Sequence, residues 1–531
     1  MREILSRPPD ALLAEIEAAG VRGRSGWTPV AAAWRKIRVR AAFRPYVVAN
    51  ASGGGAGGVR ERVLLERSAD DVLAGILVAA RTLGAPVAFL VIRGDRRAEA
   101  ERLESAVERL RGEGLLAAAG LTNLIVHRGP ASYVAGEATA VLEALEGKPP
   151  FPRQKPSDPA EAGLWGLPTA LHNVETFAAV ARAAESGAEA FRREERVLVS
   201  VTGAVARPGV FEVPLGTFIR ELIETRAGGL PPGRTLAAFF PCGPGSAPLG
   251  PDQLDLPLLP EAVEAAGSSP GPLDVIVLDD GVCPVGIALA LARSAKESSC
   301  GICPPCAQGT GNLHAVLTRL EREGARPADA ELLKDLVHFL HPRGQCGLPK
   351  GVAQAVGGLM RLFPGEFSEH AKGTPCAREQ IGPMRPPGPI PGPGRRVCAT
   401  AEPSPELRIA RYPDRRGAFI DRLWRLQDRL GWVPPAEAED EARRCGIPTD
   451  RLRYDLPQIP GLRLRPTGGS HLKLCGGLPC VLAGIDRLTP PLKEQGVGRQ
   501  TRETPAEVVT AEWAACLGMC DRAPAVMVDV G

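Results

Sequence analysis

Ser299-Cys300-Gly301-Ile302-Cys303-Pro304-Pro305-Cys306, joined by Gln345-Cys346-Gly347 forty residues on, is the stretch that decides how this 531-residue chain is read. Thiols at C-x2-C-x2-C spacing let one short loop cap three corners of a cubane iron–sulfur cluster, and a distant fourth thiol completes it. Four thiolates also suit a structural zinc, but zinc loops usually pair one C-x2-C with another. The triplet therefore favours [4Fe–4S]. A second quartet lies near the C-terminus, with Cys475 and Cys480 at C-x4-C spacing and Cys516 and Cys520 at C-x3-C. Each pair suits one iron of a [2Fe–2S] centre, with zinc or redox-active thiols as the alternatives. Neither pair has the C-x-x-C spacing of thiol–disulfide oxidoreductases. Two quartets in one chain point to electron transfer.

The bulk sequence narrows the remaining classes. Lys+Arg 64 against Asp+Glu 61 leaves a formal charge of +3, which predicts neither a nucleic-acid binder nor a membrane-surface protein. The length implies several domains, and Gly 61 with Pro 52 implies many turns between them. Without an eighteen-residue apolar run no membrane-spanning helix is expected, and the first ten residues lack the apolar core of a signal peptide. The expectation is a cytoplasmic chain with reduced thiols, peripheral to an inner membrane through partners if it meets one. Cys242, Cys283, Cys376, Cys398 and Cys445, outside the quartets, read as free thiols.

Working outward from the cysteine loop, residues 1–194 alternate strand and helix: Tyr46–Ala49, Asp70–Leu83, Pro86–Arg93, Ala98–Glu113. That order predicts an α/β layer with parallel strands. Residues 195–282 read as a small β-rich module, with strands at Val197–Thr202, Gly209–Val213 and Leu273–Leu278 and a helix at Thr217–Thr225. From Pro284 to about Gly357, within a domain at 283–372, the pattern is helical. Residues 373–404 form a Pro/Gly-rich linker that cannot pack a core. Helices are expected at Leu407–Leu430 and Ala436–Cys445 in a lead-in over 405–470. The segment 471–531 reads as strand (Leu472–Leu474), helix (Val481–Leu488) and strand (Ala525–Val530).

In this order the segments resemble the flavin- and NADH-binding subunit of respiratory NADH:quinone oxidoreductase (complex I). Tyr133-Val-Ala-Gly136-Glu137 and Leu145-Glu-Gly147-Lys148 stand where that family has Y-x-x-G-E-E and L-E-G-K. Pro152-Arg153-x-Lys155-Pro156 and Asn173-Val-Glu175-Thr176 match P-R-x-K-P and N-N-V-E-T, and Ser299–Cys306 matches the cluster loop. Beyond Leu407 the chain resembles the thioredoxin-like [2Fe–2S] partner of the same enzyme, through Arg411-Tyr412-Pro413, Gly431-Trp432 and Cys516-Leu-Gly-Met-Cys520-Asp-Arg-Ala-Pro524. The resemblance implies a multidomain α/β chain. Its parts would be a Rossmann-like flavin domain, a β-grasp (SLBB-type) module, a helical bundle carrying the [4Fe–4S] loop, and a helical hairpin fused to a thioredoxin-like ferredoxin domain.

It further implies FMN and NADH as ligands and the other subunits of a complex I-like, hydrogenase- or dehydrogenase-type assembly as partners. The flavin would lie against Gly23, Arg24, Gly26, Asn50, Gly54, Gly136, Glu137 and Asn173. Cys300, Cys303, Cys306 and Cys346 would hold one cluster, and Cys475, Cys480, Cys516 and Cys520 the other. No catalytic acid, base or nucleophile stands out.

The flavin site departs from the family. Its R-G-R-G-G-A-G-F-P loop reads Arg22-Gly23-Arg24-Ser25-Gly26-Trp27-Thr28-Pro29 here, with Trp27 expected at the mouth of the site. Its N-A-D-E-G-E-P-G-x-x-K-D-R run reads Asn50-Ala-Ser52-Gly53-Gly54-Gly55-Ala-Gly-Gly58-Val-Arg60-Glu61-Arg62, so three acidic positions have become Ser52, Gly53 and Gly55. Ala138 and His172 replace a glutamate and an asparagine. Each lost ligand hydrogen bond costs about 1–3 kcal/mol, so several together would cost orders of magnitude in affinity. Gly53-x-Gly55-x-x-Gly58 also spells a dinucleotide fingerprint, but the acidic residue that should close the next strand is Arg93, so a glycine turn is the simpler reading. Two functions follow: electron input from NADH through FMN to the clusters, or an iron–sulfur relay or scaffold that no longer oxidises NADH. A zinc-stabilised binding module is a third.

Overall fold

The computed structural model describes residues 1–40, 43–53, 58–321, 324–341, 344–374, 404–467, 470–494, 497 and 509–530. Almost all of the expected linker falls outside them, as do Gly54, Gly55, Cys376 and Cys398.

The first sheet has four parallel strands, β1 (Tyr46–Ala51), β2 (Val87–Arg93), β3 (Asn123–Gly129) and β4 (Thr169–Asn173), in the order β3-β2-β1-β4. Every residue of β2 is buried, as an apolar strand covered on both faces must be. Around this Rossmann-like sheet lie α1 (Val30–Val39), α2 (Gly58–Arg67), α3 (Ala69–Leu83), α4 (Arg97–Gly112), α5 (Ala138–Leu145) and α6 (Val174–Ser186). α3 and α6 approach so closely that a Cβ on Gly75 would lie 1.8 Å from the Phe177 carbonyl oxygen, so no larger residue fits there. The strand order reverses at β1. In open α/β sheets a crevice opens beyond the strand C-termini at such a reversal. Here it lies between Asn50 and Asn173, which are register partners on β1 and β4.

The β-grasp module follows, with β5 (Arg196–Gly203), β6 (Gly209–Pro214), β7 (Leu236–Phe240) and β8 (Asp274–Asp279) in the order β6-β5-β8-β7. Its helical turn sits at Glu221–Arg226, later than the expected Thr217–Thr225, because Phe218 is drawn into a β-bridge with Pro257. The helical domain comprises α7 (Pro284–Ser298), α8 (Gly311–Glu321), α9 (Asp329–Leu340), α10 (Gly347–Leu362) and α11 (Pro364–Ala371), so helix continues past the expected end near Gly357.

The single helix expected over Leu407–Leu430 is broken. A short turn at Pro405–Ile409 ends before Pro413, which has no N–H and disfavours helix at Tyr412, and α12 (Phe419–Leu430) starts afresh. With α13 (Pro435–Cys445) it clamps the first sheet, where Tyr412, Phe419, Leu423 and Trp424 share a buried cluster with Val48, Phe89, Val91 and Leu145. The indole of Trp424 fills the space that Gly94 leaves, since a Cβ there would lie 1.9 Å from it.

The final domain has β9 (Ser470–Cys475), α14 (Leu478–Leu482), β10 (Val509–Ala514) and β11 (Val526–Val530), with sheet order β10-β9-β11. The helix expected over Val481–Leu488 comes earlier and is shorter, because Gly484 at φ 83 turns the chain. β10, parallel to β9, goes beyond the expected strand–helix–strand pattern. This domain and the helical one share an apolar cluster, with Leu291, Leu348 and Val352 meeting Leu474, Leu478 and Leu517. Among the described residues no helix is long and apolar enough to cross a membrane.

Gly94→Val is expected to displace Trp424 and free the 404–467 segment, read as new tryptic cleavage there. Unchanged protection would show that the clamp does not depend on that close approach.

Candidate functional site

The crevice beyond β1 and β4 is a cleft of about 650 Å³. Gly23, Arg24, Gly26, Asn50, Gly136, Glu137 and Asn173, all the described residues expected at the flavin, line it together. Asn50 Nδ2 donates to the Gly136 carbonyl at 2.9 Å, and its Oδ1 accepts from the Ser52 amide at 2.9 Å. Gly136 comes so close that a Cβ would lie 3.0 Å from the Ser52 carbonyl oxygen. Glu137 caps α5, accepting from the Thr139 and Ala140 amides at 2.8 and 3.0 Å, with Lys155 Nζ 3.3 Å away. Asn173 caps α6 by accepting from the Glu175 amide at 2.9 Å. Both residues thus serve their helices and also face the cleft. The Arg24 amide donates to Thr176 Oγ1 at 3.0 Å, while its buried guanidinium pairs with Glu195.

Trp27 does not stand at the mouth. Its indole is buried in the β-grasp core, with Nε1 donating to the Gly271 carbonyl at 2.9 Å, and the backbone takes φ 55 to put it there. That left-handed conformation is uncommon for a bulky residue, and burial of the large indole offsets its cost. The glycine-rich loop is therefore pinned to the β-grasp module and leaves the cleft open. His172 also lines the cleft and accepts from Trp34 Nε1 at 3.1 Å. Burial lowers its pKa to about 4, so it is neutral.

The cleft keeps a carboxylate at the acidic position of the motif's closing K-D-R. Glu61, on the first turn of α2, accepts from the Gly53 amide at 2.9 Å and from Asn173 Nδ2. A Cβ on Gly53 would lie 2.4 Å from Glu61 Oε2, so the missing side chain at 53 is what gives this carboxylate its place. Burial pushes Glu61 up to about 7, against the pull of Arg96 and Arg60. The available signal was the Arg60-Glu61-Arg62 triplet directly after the glycine run, because a buried charged run must be paired.

Its two neighbours reach other domains. Arg60 Nε donates to Asp274 Oδ1 on β8 at 3.0 Å, and Nη1 pairs with Glu175. Arg62 Nη2 donates to both Asp521 oxygens at 2.7 Å, and Nε to the Gly518 carbonyl at 3.3 Å, docking the C-terminal domain.

Both cysteine quartets assemble. Cys300, Cys303 and Cys306 surround the turn at Gly301 (φ 73), and Cys346 caps α10, where the helix dipole favours a thiolate. Burial, then the other thiols of the set, pushes Cys306 up to about 12 and Cys346 to about 11. Cys346 also lines the cleft, with Glu137 among the charges acting on it. In the second set Cys516 Sγ and Cys520 Sγ are 3.8 Å apart and Gly518 N donates to Cys516 Sγ at 3.2 Å. A Cβ on Gly477 would lie 3.5 Å from both Cys475 Sγ and Cys516 Sγ, so glycine leaves a cradle between the pairs. Hydrogen bonding to Cys480 and Cys516 holds Cys475 well above the usual thiol range. Arg93, at the end of β2, carries positive charge towards Cys516 and Cys475.

Comparison with known proteins follows the same divisions. Residues 16–182 match the Nuo51 FMN-binding domain, 198–245 the SLBB domain, 286–370 the NADH-ubiquinone oxidoreductase-F iron-sulfur binding region, and 406–530 the thioredoxin-like [2Fe-2S] ferredoxin. The F 2 subunit of the NADH-quinone oxidoreductase of Rhizobium meliloti (strain 1021) is 34% identical over 381 residues, covering 69% of this chain and 90% of the relative. The F subunit of the Streptomyces coelicolor enzyme is 32% identical over 388 residues, covering 71% and 86%. A chain from the crystal structure of NAD+-reducing [NiFe]-hydrogenase in the H2-reduced state superposes with a TM-score of 0.63 at 33% identity, over 68% of this chain and 63% of that one. This chain thus spans just under two thirds of the hydrogenase chain it matches.

The raised pKa of Glu61 means that its proton favours the fold. The stabilisation is complete below the ordinary value of 4.5 and is lost as pH rises through about 7. Glu61→Gln is therefore expected to flatten the pH dependence of the melting temperature between about pH 4.5 and pH 7. An unchanged slope would place the ionisation elsewhere.

Proposed function

This chain belongs to the family of NADH-quinone oxidoreductase F subunits, and from that premise we propose how its cleft and its cysteines divide the work. The function is electron input from NADH through FMN to a [4Fe–4S] and a [2Fe–2S] cluster. We assign the cleft at the β1/β4 crevice to the flavin. FMN, when bound, supplies the conversion of two-electron donation into single-electron steps. The fit rests on Gly26, where a Cβ would meet nothing within 4 Å, and on Asn50, Glu137 and Asn173 converging on one cleft. Gly23 and Gly26 let backbone amides approach a phosphate. Asn50 and Asn173 fix the two strand ends, Glu137 and Glu61 supply the acidic groups, and neutral His172 closes the wall without adding charge.

Cys300, Cys303, Cys306 and Cys346 are assigned to the [4Fe–4S] cluster, and Cys475, Cys480, Cys516 and Cys520 to the [2Fe–2S] cluster. The observation that carries the reading is that Cys346 and the Asn50–Asn173 pair wall the same cleft, so flavin site and first quartet adjoin. Gly518 N–H and Arg93 both stabilise negative charge on the second quartet, which raises a cluster's potential. The open mouth left by Trp27 supports NADH oxidation over the relay reading, which rested on lost acidic residues. Partners are the remaining subunits of a complex I-like or hydrogenase-type redox assembly, and any contact with a membrane is through them.

An anaerobic absorbance titration of the cluster-replete chain with NADH tests the assignment. Bleaching of flavin and iron–sulfur bands together is the expected result. Iron–sulfur colour that dithionite bleaches and NADH leaves unchanged would make the chain a relay. Cys516→Ala is expected to abolish the [2Fe–2S] electron paramagnetic resonance signal while the [4Fe–4S] signal persists, and survival of both would remove Cys516 from the ligand set.

A further inference from the structure

Cys283, Glu321 and His370 lie far apart in sequence and outside both cysteine quartets, yet they meet in the interior of the helical domain. Cys283 caps the N-terminus of α7, Glu321 ends α8 and His370 lies on α11. All three are buried, Cys283 fully so. Cys283 Sγ is 3.4 Å from His370 Nε2 and 3.8 Å from Glu321 Oε2, and the ligand atoms of the three all lie within 4.8 Å of one another. Ligands about 2.0–2.3 Å from one tetrahedral ion are separated from each other by about 3.3–3.8 Å. Both distances from Cys283 Sγ match, and Glu321 Oε2 lies 3.6 Å from His370 Nδ1.

Two further contacts prepare these groups as ligands. His370 Nδ1 is 2.9 Å from the Leu320 carbonyl oxygen, which can only accept, so Nδ1 carries the proton and Nε2 offers its lone pair towards Cys283. Metal-bound histidines are oriented by such a bond. Cys283 Sγ accepts from the Gly286 amide at 3.5 Å at a helix N-terminus, a setting that favours the thiolate. A thiolate and a carboxylate together balance a dication in a buried site.

We propose that Cys283, Glu321 and His370 bind a zinc ion. One sulfur, one imidazole nitrogen and one carboxylate oxygen suit this borderline cation, whereas magnesium and calcium take oxygen ligands. Among the described residues no fourth protein ligand joins the three. α7 runs from the zinc ligands towards Cys300 and α8 returns from Cys306, so the helix pair is held by the iron–sulfur loop at one end and by zinc at the other. The two ends are about 22 Å apart at 1.5 Å per helical residue.

The test is metal analysis of the full, cluster-replete chain prepared with zinc present, together with zinc K-edge absorption. The expected result is about one zinc per chain beside the iron, with one sulfur near ~2.3 Å and nitrogen or oxygen near ~2.0 Å. Cys283→Ser should remove the sulfur shell, and His370→Gln should lower retained zinc by about tenfold or more. The wild-type spectrum decides the matter even if a variant fails to fold. Zinc-free protein with intact clusters would reduce the trio to a thiol–imidazole hydrogen-bond network and overturn the proposal. A four-sulfur shell, meaning zinc in a cysteine quartet, would overturn it equally.

Discussion

Three consecutive buried charges on α2 hold the molecule in register. Successive helical residues point about 100° apart, so Arg60, Glu61 and Arg62 face three directions from one short helix. Arg60 meets Asp274 of the β-grasp module and Glu175 at the start of α6. Glu61 turns into the cleft and Arg62 grips Asp521 of the C-terminal domain. An unpaired charge in such a setting would cost several kcal/mol, so each domain must dock where its partner group lies. The same helix therefore sets the distance between flavin cleft, β-grasp module and second cysteine quartet.

This arrangement explains how the flavin loop tolerates its departures. Ser52 and Gly53 remove acidic side chains from the β1 loop, and the absent side chain at Gly53 leaves space for Glu61, which stands at the acidic position of the motif's K-D-R. Asn173 and the Gly53 amide hold that carboxylate in the cleft. Trp27 likewise occupies the position of a family loop residue yet contributes to another domain's core. Trp27 ties the glycine loop to the β-grasp module. The cysteine quartets need no such compensation, because all eight thiols are present and the two cluster domains pack through one apolar interior.

The C-terminal half divides its contacts. The lead-in helices clamp the first sheet, with Trp424 against Gly94, whereas the ferredoxin domain lies against the helical domain and α2. Residues 404–467 and 470–530 thus grip different parts of the preceding chain.

Cysteine spacing, the strand run read at Pro86–Arg93 and the family motifs pointed to the domain order and to which residues gather at the cleft and in each quartet, because these signals are local. Thiol spacing within a loop and alternation within a strand are written in neighbouring residues. Helix breaks at Pro413 and Gly484 were also local but were outweighed by the apolar pattern around them. Glu61 as a cleft carboxylate, Trp27 as a β-grasp core residue and the Cys283–Glu321–His370 trio depend on segments brought together from far along the chain. Whether a charged or polar side chain faces ligand, core or water depends on what packs against it, and only tertiary structure decides that.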